Sequence, residues 1–171
     1  TREGGGIQFK GVHTNPQVPA ITGKLDFPDD HPMLDHFRYL DSVSGDAVMP
    51  KISIPGPSAC HFRVQKQDIA PKEYHDPEVL FDDLAKTYNK AVHAFYKAGC
   101  RYLQMDDIFF AYLCDDKIRA EKKAEGIDPD WLIGQYAKMM HDAIADRPDD
   151  MIIGMHLCRG NFQSTWVAAG A

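Results

Sequence analysis

Residues 76–106, DPEVLFDDLAKTYNKAVHAFYKAGCRYLQMD, contain the start of a helix, its end and the strand that follows. Asp76 and Pro77 are typical of the start of a helix. An Asp side chain accepts hydrogen bonds from the unpaired N–H groups of the first turn, and Pro has no N–H that would be left unpaired there. Apolar residues then recur at helical spacing as far as Gly99, namely Leu80, Leu84, Tyr88, Ala91, Val92 and Phe95. The apolar run that follows has strand length. This segment therefore predicts one helix–strand unit.

The same helix pattern occurs on both sides of this unit. An amphipathic helix is predicted from Asp128 to Pro148, where the Asp-Pro start signal is repeated. A shorter helix is predicted from Pro32 to a stop near Gly45, although His31 is a weak N-cap residue. The chain therefore alternates helices with short apolar runs.

Three of these runs are predicted strands: Val48–Ile54, Arg101–Asp106 and Met151–Leu157. Nearly continuous apolar strands separated by helices are typical of a parallel sheet with right-handed crossovers and helices on both faces. The fold class is therefore α/β, with the three strands side by side. Residues 1–30 are expected to be mostly loop, with one strand over Ile7–Val12.

Two α/β architectures accommodate this pattern, a flavodoxin-like open sheet and a (β/α)8 barrel. The length of 171 residues predicts one domain and favours the open sheet, because a barrel takes about 250 residues. Both architectures place ligands at the carboxyl ends of the strands. Polar residues at those ends therefore do not distinguish them.

The composition excludes several classes of protein. The chain is 44% hydrophobic and 26% charged, carries a net charge of −6, and lacks a basic cluster for nucleic acid or an anionic membrane. No apolar run reaches the roughly 20 residues of a membrane span, and no secretory signal opens the sequence. Four cysteines without a CxxC pair are typical of reduced thiols. We therefore expect a cytoplasmic protein.

His156 and Cys158 form the first candidate site. Residues two apart on a strand point to the same side, so the imidazole and the thiol are expected to converge, with Gly154 leaving room beneath them. Both groups are ligands that Zn²⁺ prefers. The alternative is structural, a buried thiol and a hydrogen-bonded histidine at a strand end. The H-x-C spacing by itself leaves both interpretations open.

Asp106 and Asp107 end the middle predicted strand and point to opposite sides. This divergence disfavours a paired-carboxylate acid–base device. It predicts that Asp106, on the side of Gln104, faces a ligand and that Asp107 holds the next loop. The alternative is that both are ordinary loop caps.

Pro55-Gly56-Pro57-Ser58 follows the first predicted strand. The turn lacks the lysine and the glycine spacing of a phosphate loop, so nucleotide binding is not indicated. A rigid turn that offers backbone groups to a small ligand and a purely structural turn are both compatible with this sequence.

Four segments together resemble the cobalamin-independent methionine synthase family, and the resemblance extends in order from about Thr22 to Trp166. The segments are Ile54–Ser58, Gly99–Asp107, Ala111–Asp115 and His156–Phe162. The chain is most similar to short members that correspond to the catalytic half and lack the N-terminal folate-binding half.

The resemblance implies a (β/α)8 barrel in which zinc holds homocysteine as a thiolate that attacks a methyl donor. It assigns His156 and Cys158 as two of four zinc ligands, Asp106 as the partner of the homocysteine ammonium group, and Ser58 to the substrate-side turn. The family's other two ligands, a Glu and a Cys, lie on later strands that this sequence does not include. The implied activity is that of a 5-methyltetrahydropteroyltriglutamate–homocysteine S-methyltransferase.

The sequence departs from the family at the folate site. The family's stacking Trp after the turn is replaced by Cys60-His61-Phe62-Arg63, and Tyr112 stands where the family has a folate-binding Glu. The methyl donor is therefore left open, with methyltetrahydrofolate as one candidate.

We therefore expect residues 1–171 to form an incomplete portion of a single catalytic barrel domain, inactive alone and metal-free or only partly loaded with Zn²⁺. An open sheet edge also favours a homo-oligomer. Two alternative functions are a metal-free decarboxylase of the uroporphyrinogen type, disfavoured by the dispersed Arg63, Arg101 and Arg159, and a catalytically inert, self-associating fragment.

Overall fold

A computed structural model describes residues 2–3, 17–160 and 166–170. The strands are β1 (Arg2–Glu3), β2 (Gln17–Val18), β3 (Lys51–Pro55), β4 (Tyr102–Asp106) and β5 (Ile152–His156). The helices are α1 (Pro32–Ser44), α2 (Ala59–Phe62), α3 (Pro77–Lys97), α4 (Phe109–Tyr112), α5 (Asp116–Ala124) and α6 (Pro129–Ile144). Short 3-10 turns cover Lys66–Asp68 and Lys72–His75. The strand predicted over Ile7–Val12 lies outside the described residues.

The three predicted helices α1, α3 and α6 begin where their start signals indicate. The Asp76 and Asp128 side chains each accept a hydrogen bond from the backbone N–H two residues later, at 3.0 Å. His31 also caps its helix, because its Nδ1 accepts from the Met33 N–H at 3.2 Å. His31 is therefore the N-cap residue of α1, although histidine is a weak N-cap residue by sequence preference.

Helix α5 is not predicted from the sequence. Asp115 is its N-cap and accepts from the backbone N–H groups of Lys117 and Ile118 at 2.9 and 3.2 Å. The helix has no buried residue, so the apolar repeat on which the other assignments depend is missing. The start signal at Asp115 was the available evidence for this helix.

The main sheet is parallel and has the order β3-β4-β5, which confirms the predicted α/β class and the three strands side by side. Its register aligns Pro55 with Asp106, and Asp106 with His156. The carboxyl ends of the three strands therefore form one row. Each strand is shorter than the apolar run that predicted it.

Helices α1, α3 and α6 pack on one face of this sheet only. The apolar side chains of that face form one core with those of the helices. The sheet side contributes Ile52, Ile54, Leu103, Met105, Met151 and Ile153, and the helices contribute Leu34, Phe37, Val92, Phe95, Met140 and Ile144. The prediction of helices on both faces is wrong, since no described helix covers the other face. Apolar runs predicted a sheet buried on both faces, but alternate positions of these strands are polar or exposed.

The predicted (β/α)8 barrel is also wrong for this structure. A closed barrel needs eight strands whose tilt and stagger bring the last beside the first, whereas the described residues supply a three-stranded parallel sheet. The outer strands β3 and β5 pair only with β4 in the described part of the chain. Ile152, Met155 and Leu157 at β5 remain 44–54% exposed.

A second core lies beside the sheet, where α3 and α6 pack against the loops that follow β3 and β4. Its buried members include Tyr74, Leu80, Phe81, Leu84, Phe109, Leu113, Leu132 and Tyr136. Helix α3 contributes to both cores and is therefore the common support of the fold. Within the described ranges, no helix has the length and apolarity that crossing a membrane requires.

A buried carboxylate links the ends of the three strands. Asp107 is 1% exposed and accepts a hydrogen bond from the Oγ of Ser58, which is fully buried. The Asp107 N–H donates to the His156 carbonyl at 3.0 Å, and the Gly56 N–H donates to the Asp106 carbonyl at 2.8 Å. The loops after β3 and β4 and the end of β5 are thus held in fixed relation.

Gly56 allows this approach because a Cβ built on it would lie 2.6 Å from the Asp107 Cβ. We expect Gly56→Ala to lower the free energy of unfolding by about 1–3 kcal/mol, as overpacking does. Gly23→Ala is the matched control, because a Cβ there meets no atom within 4 Å. Urea denaturation measures both variants, and equal stabilities would contradict this account.

His61 is a partly buried polar residue near the same loops. Its Nδ1 lies 2.7 Å from the Tyr136 hydroxyl, and its ring packs edge-on against Phe81 with centroids 4.7 Å apart. Burial, together with the smaller effect of the nearby Lys122 charge, lowers the pKa of His61 to about 4. The imidazole is therefore neutral at pH 7.

The low pKa of His61 makes stability depend on pH. Between about pH 6.5 and pH 4 the unfolded chain binds a proton that the folded chain does not, so stability falls as the pH falls through this window. The shift corresponds to at most about 3 kcal/mol. We expect His61→Gln to flatten the pH profile of urea denaturation. His36→Gln, at an exposed site on α1, is the control, and matching profiles for both variants would refute the assignment.

Candidate active site

The face of the sheet without helices is polar. We call it the open face, and its members are Lys51, Ser53, Pro55, Tyr102, Gln104, Asp106, Ile152, Gly154 and His156, which alternate with the core residues. Polar side chains at the carboxyl ends of parallel strands are where ligands bind in α/β folds. The open face is therefore the candidate site.

Asp106 and His156 lie together at the carboxyl end of the open face. They are register partners on adjacent parallel strands, which places their Cα atoms about 4.8 Å apart. The His156 side chain is exposed, and no hydrogen bond involves its imidazole within the described ranges. Two of the predicted site residues are thus brought together by the sheet.

Cys158 follows two residues after His156, just beyond the strand. Its sulfur accepts a hydrogen bond from the Gly160 N–H at 3.4 Å. Gly160 has a φ of 72°, in the left-handed region that favours glycine, and a Cβ on it would lie 2.8 Å from the Tyr112 hydroxyl. The turn therefore aims an N–H at the Cys158 sulfur and fixes its position just beyond β5.

The space over Gly154 is not empty, contrary to the prediction. The Tyr102 ring extends from β4 across β5, and its Cε2 would lie 3.0 Å from a Cβ on Gly154. Gly154 therefore admits a tyrosine from the neighbouring strand. This ring was missed because the sequence does not show which residue stands beside Gly154.

Asp106 is oriented by a chain of two hydrogen bonds along the open face. Gln104 Nε2 donates to Asp106 Oδ1 at 2.7 Å, and Lys51 Nζ donates to Gln104 Oε1 at 2.8 Å. The ammonium group of Lys51 also lies 5.6 Å from the Tyr102 ring centroid. Lys51 was not a sequence candidate, because its contact with Gln104 exists only through the strand register.

Ser58 lies apart from these groups. Its side chain is fully buried and donates to Asp107, so the hydroxyl does not reach the open face. Burial raises the pKa of Asp107, while hydrogen bonds from the Ser58 side chain and from the backbone N–H groups of Phe109 and Ser58 lower it. In this structure Ser58 acts with Asp107 in holding the loops.

The other cysteines and histidines do not join the site. The Cys60 sulfur lies 3.8 Å from the Tyr88 hydroxyl, and burial raises the pKa of its thiol. Cys100 is buried. Cys114 is exposed. All four thiols are free. In the described part of the chain, no three His, Cys, Asp or Glu side chains form a group that could hold a metal ion.

An aromatic group occupies the region where the sequence departs from the family pattern. Phe62 stacks on Phe109 with centroids 4.5 Å apart and meets Tyr112 edge-on at 6.0 Å. The Arg63 guanidinium lies 5.4 Å from the Phe109 centroid, and the Lys122 ammonium lies 4.7 Å from that of Phe62. These rings pack against one another and therefore do not form an open stacking surface.

Comparison with known proteins finds close relatives. The uncharacterized proteins YxjH and YxjG of Bacillus subtilis (strain 168) are 47% and 46% identical over 165 and 166 residues, which are 96% of this chain. These matches cover 42% and 43% of the two relatives, so the chain spans about two fifths of their length. No family model matches the chain.

A solved structure shares both sequence and fold with the chain. It is the crystal structure of a protein from Listeria monocytogenes provisionally assigned as a vitamin-B12 independent methionine synthase. The two are 42% identical with a TM-score of 0.69, over 81% of this chain and 40% of the Listeria chain. The similarity to this structure supports the resemblance to methionine synthases that the motifs indicate.

Proposed function

We propose that the protein is a zinc-dependent methyltransferase that transfers a methyl group to the thiol of homocysteine and forms methionine. The observation that carries the proposal is the pairing of Asp106 with His156 at one end of the open face, with Cys158 two residues beyond. An acceptor for an ammonium group thus lies beside two zinc-type donors. The similarity to the Listeria protein supports the same activity.

The residues at the end of β5 fit a zinc ion by their chemistry. Imidazole nitrogen and thiolate sulfur are among the donors that zinc binds, and the Gly160 N–H holds the Cys158 sulfur in place beyond the strand. A four-coordinate ion needs further ligands from outside the described residues. When bound, zinc lowers the pKa of a substrate thiol, whose ordinary value is near 8.5.

The protein groups on the open face would bind and orient homocysteine. Asp106 is an anion whose Oδ2 has no partner among the described residues, so it can accept a charge-assisted hydrogen bond from the substrate ammonium group. Holding that end fixed directs the thiol toward His156 and Cys158 on the adjacent strand. Positioning of this kind lowers the entropic cost of bringing the thiol to a methyl donor.

The arrangement of the arginines disfavours the decarboxylase alternative. Arg101 precedes β4 and binds Asp150 at 2.8 Å, whereas Arg159 follows β5 at the opposite end of the sheet and stacks on Trp166 at 4.1 Å. Arg63 lies over Phe109. The three guanidinium groups therefore do not converge on one set of substrate carboxylates.

The neighbouring carboxylates Asp106 and Asp107 test the proposed substrate site. In the full-length protein we expect Asp106→Asn to weaken homocysteine binding by about 2–5 kcal/mol without lowering stability, since a charge that pairs with the ligand is lost. Asp107→Asn should mainly lower stability, since this carboxylate is buried against Ser58. Isothermal calorimetry and urea denaturation measure the two effects. Equal losses of affinity in both variants would show the assignment to be wrong.

The metal assignment has its own test. We expect the full-length protein to contain one zinc ion per chain and to form methionine from homocysteine when a methyl donor is supplied. His156→Ala combined with Cys158→Ala should remove both the zinc and the activity. Cys114→Ala is the matched control, because this exposed thiol lies outside the site. Stoichiometric zinc in the double variant, measured by plasma emission spectroscopy, would refute these ligands.

A further inference from the structure

We infer that Gln104 is a positioning residue that fixes the Asp106 carboxylate for the substrate ammonium group, and that Lys51 fixes the orientation of the Gln104 amide. The inference rests on the proposed function, because it deepens the role of Asp106 in binding homocysteine. It is carried by the two hydrogen bonds that connect Lys51, Gln104 and Asp106 along the open face.

The hydrogen bond from Gln104 uses only one of the two carboxylate oxygens of Asp106. Gln104 Nε2 donates to Oδ1 at 2.7 Å, while Oδ2 has no hydrogen-bond partner in the described part of the chain. A carboxylate at a strand end without this bond would sample several rotamers. The bond therefore holds one oxygen and presents the other to a ligand, which reduces the entropy lost on binding.

Lys51 determines which end of the Gln104 amide faces Asp106. An amide can turn over at little steric cost, but a lysine ammonium group only donates hydrogen bonds. Lys51 Nζ lies 2.8 Å from Oε1, so the oxygen faces the lysine and the NH2 group faces the carboxylate. The reversed amide would place two donors together at Lys51 and two acceptors together at Asp106. Both contacts of the reversed amide are repulsive.

The same arrangement keeps Lys51 from neutralising Asp106. Lys51 is the register partner of Tyr102, four residues before Asp106, which separates the two Cα atoms by about 13 Å along the strand direction. A lysine side chain does not span that distance, and no ion pair forms between them in the described structure. The carboxylate thus remains free to pair with the ammonium group of a ligand.

A purely structural role for Gln104 makes a different prediction. If these bonds served only to join β3 to β4, their loss would affect every ligand of the open face alike. A positioning role affects only ligands that carry an ammonium group. Homocysteine and 4-mercaptobutanoate, which has the same thiol and carboxylate but no amino group, separate the two cases.

We would measure calorimetric affinities of both thiols for the zinc-loaded full-length protein. Gln104→Met keeps the length of the side chain without its polar atoms, and we expect it to weaken homocysteine binding about tenfold while the affinity for 4-mercaptobutanoate is unchanged. Lys51→Met should also weaken homocysteine binding selectively, but by a smaller factor. Lys51→Arg should retain the affinity for homocysteine, because arginine keeps a hydrogen-bond donor at this position. Cys114→Ala is the control, because this exposed thiol lies outside the open face.

The outcomes are distinguishable from a failure of the proposed function. Equal weakening of both thiols by Gln104→Met, or no change in either, would overturn the positioning role while the unaltered protein still prefers homocysteine. If the unaltered protein binds the two thiols equally, the ammonium site proposed at Asp106 is refuted and this inference falls with it. The inference is established if Gln104→Met and Lys51→Met weaken the binding of homocysteine alone, and if Lys51→Arg binds homocysteine as the unaltered protein does.

Discussion

The buried contact of Asp107 with Ser58 fixes the part of the molecule on which the site depends. The carboxylate lies at the junction of the loops after β3 and β4, and its backbone N–H also binds the end of β5. A buried carboxylate without hydrogen bonds would be costly, so the contact resists local opening. Gly56 is required because any larger residue would occupy the position of the Asp107 side chain. Asp106, one residue away, is held by the same junction.

Because helices cover only one face of the sheet, the residues that stabilise the fold and the residues proposed to bind a ligand lie on opposite faces. Helices α1, α3 and α6 cover one face with a continuous apolar core, so most side chains on that face contribute to packing. The open face carries residues whose polar groups are satisfied by one another or exposed, and it can therefore change without loss of the core. Parallel register then brings Asp106 beside His156, although 50 residues separate them in the chain.

The proteins that this chain matches are longer than the chain itself. The matches cover about two fifths of the Bacillus and Listeria proteins, whose sequences are 42–47% identical to this chain. The end of β5 supplies a nitrogen and a sulfur donor, and a complete tetrahedral zinc shell needs donors beyond those described.

The sequence by itself determined the local elements and the side of the strand on which each candidate lies. Caps such as Asp76, helical periodicity and strand alternation act over a few residues, so they predicted three helices, three strands and the divergence of Asp106 from its neighbour. Helix α5 was missed because it lacks an apolar stripe. Tertiary structure alone decided the number of covered faces, the tyrosine over Gly154 and the partnership of Lys51 with Gln104. These depend on register between distant strands, and no short-range pattern records that register.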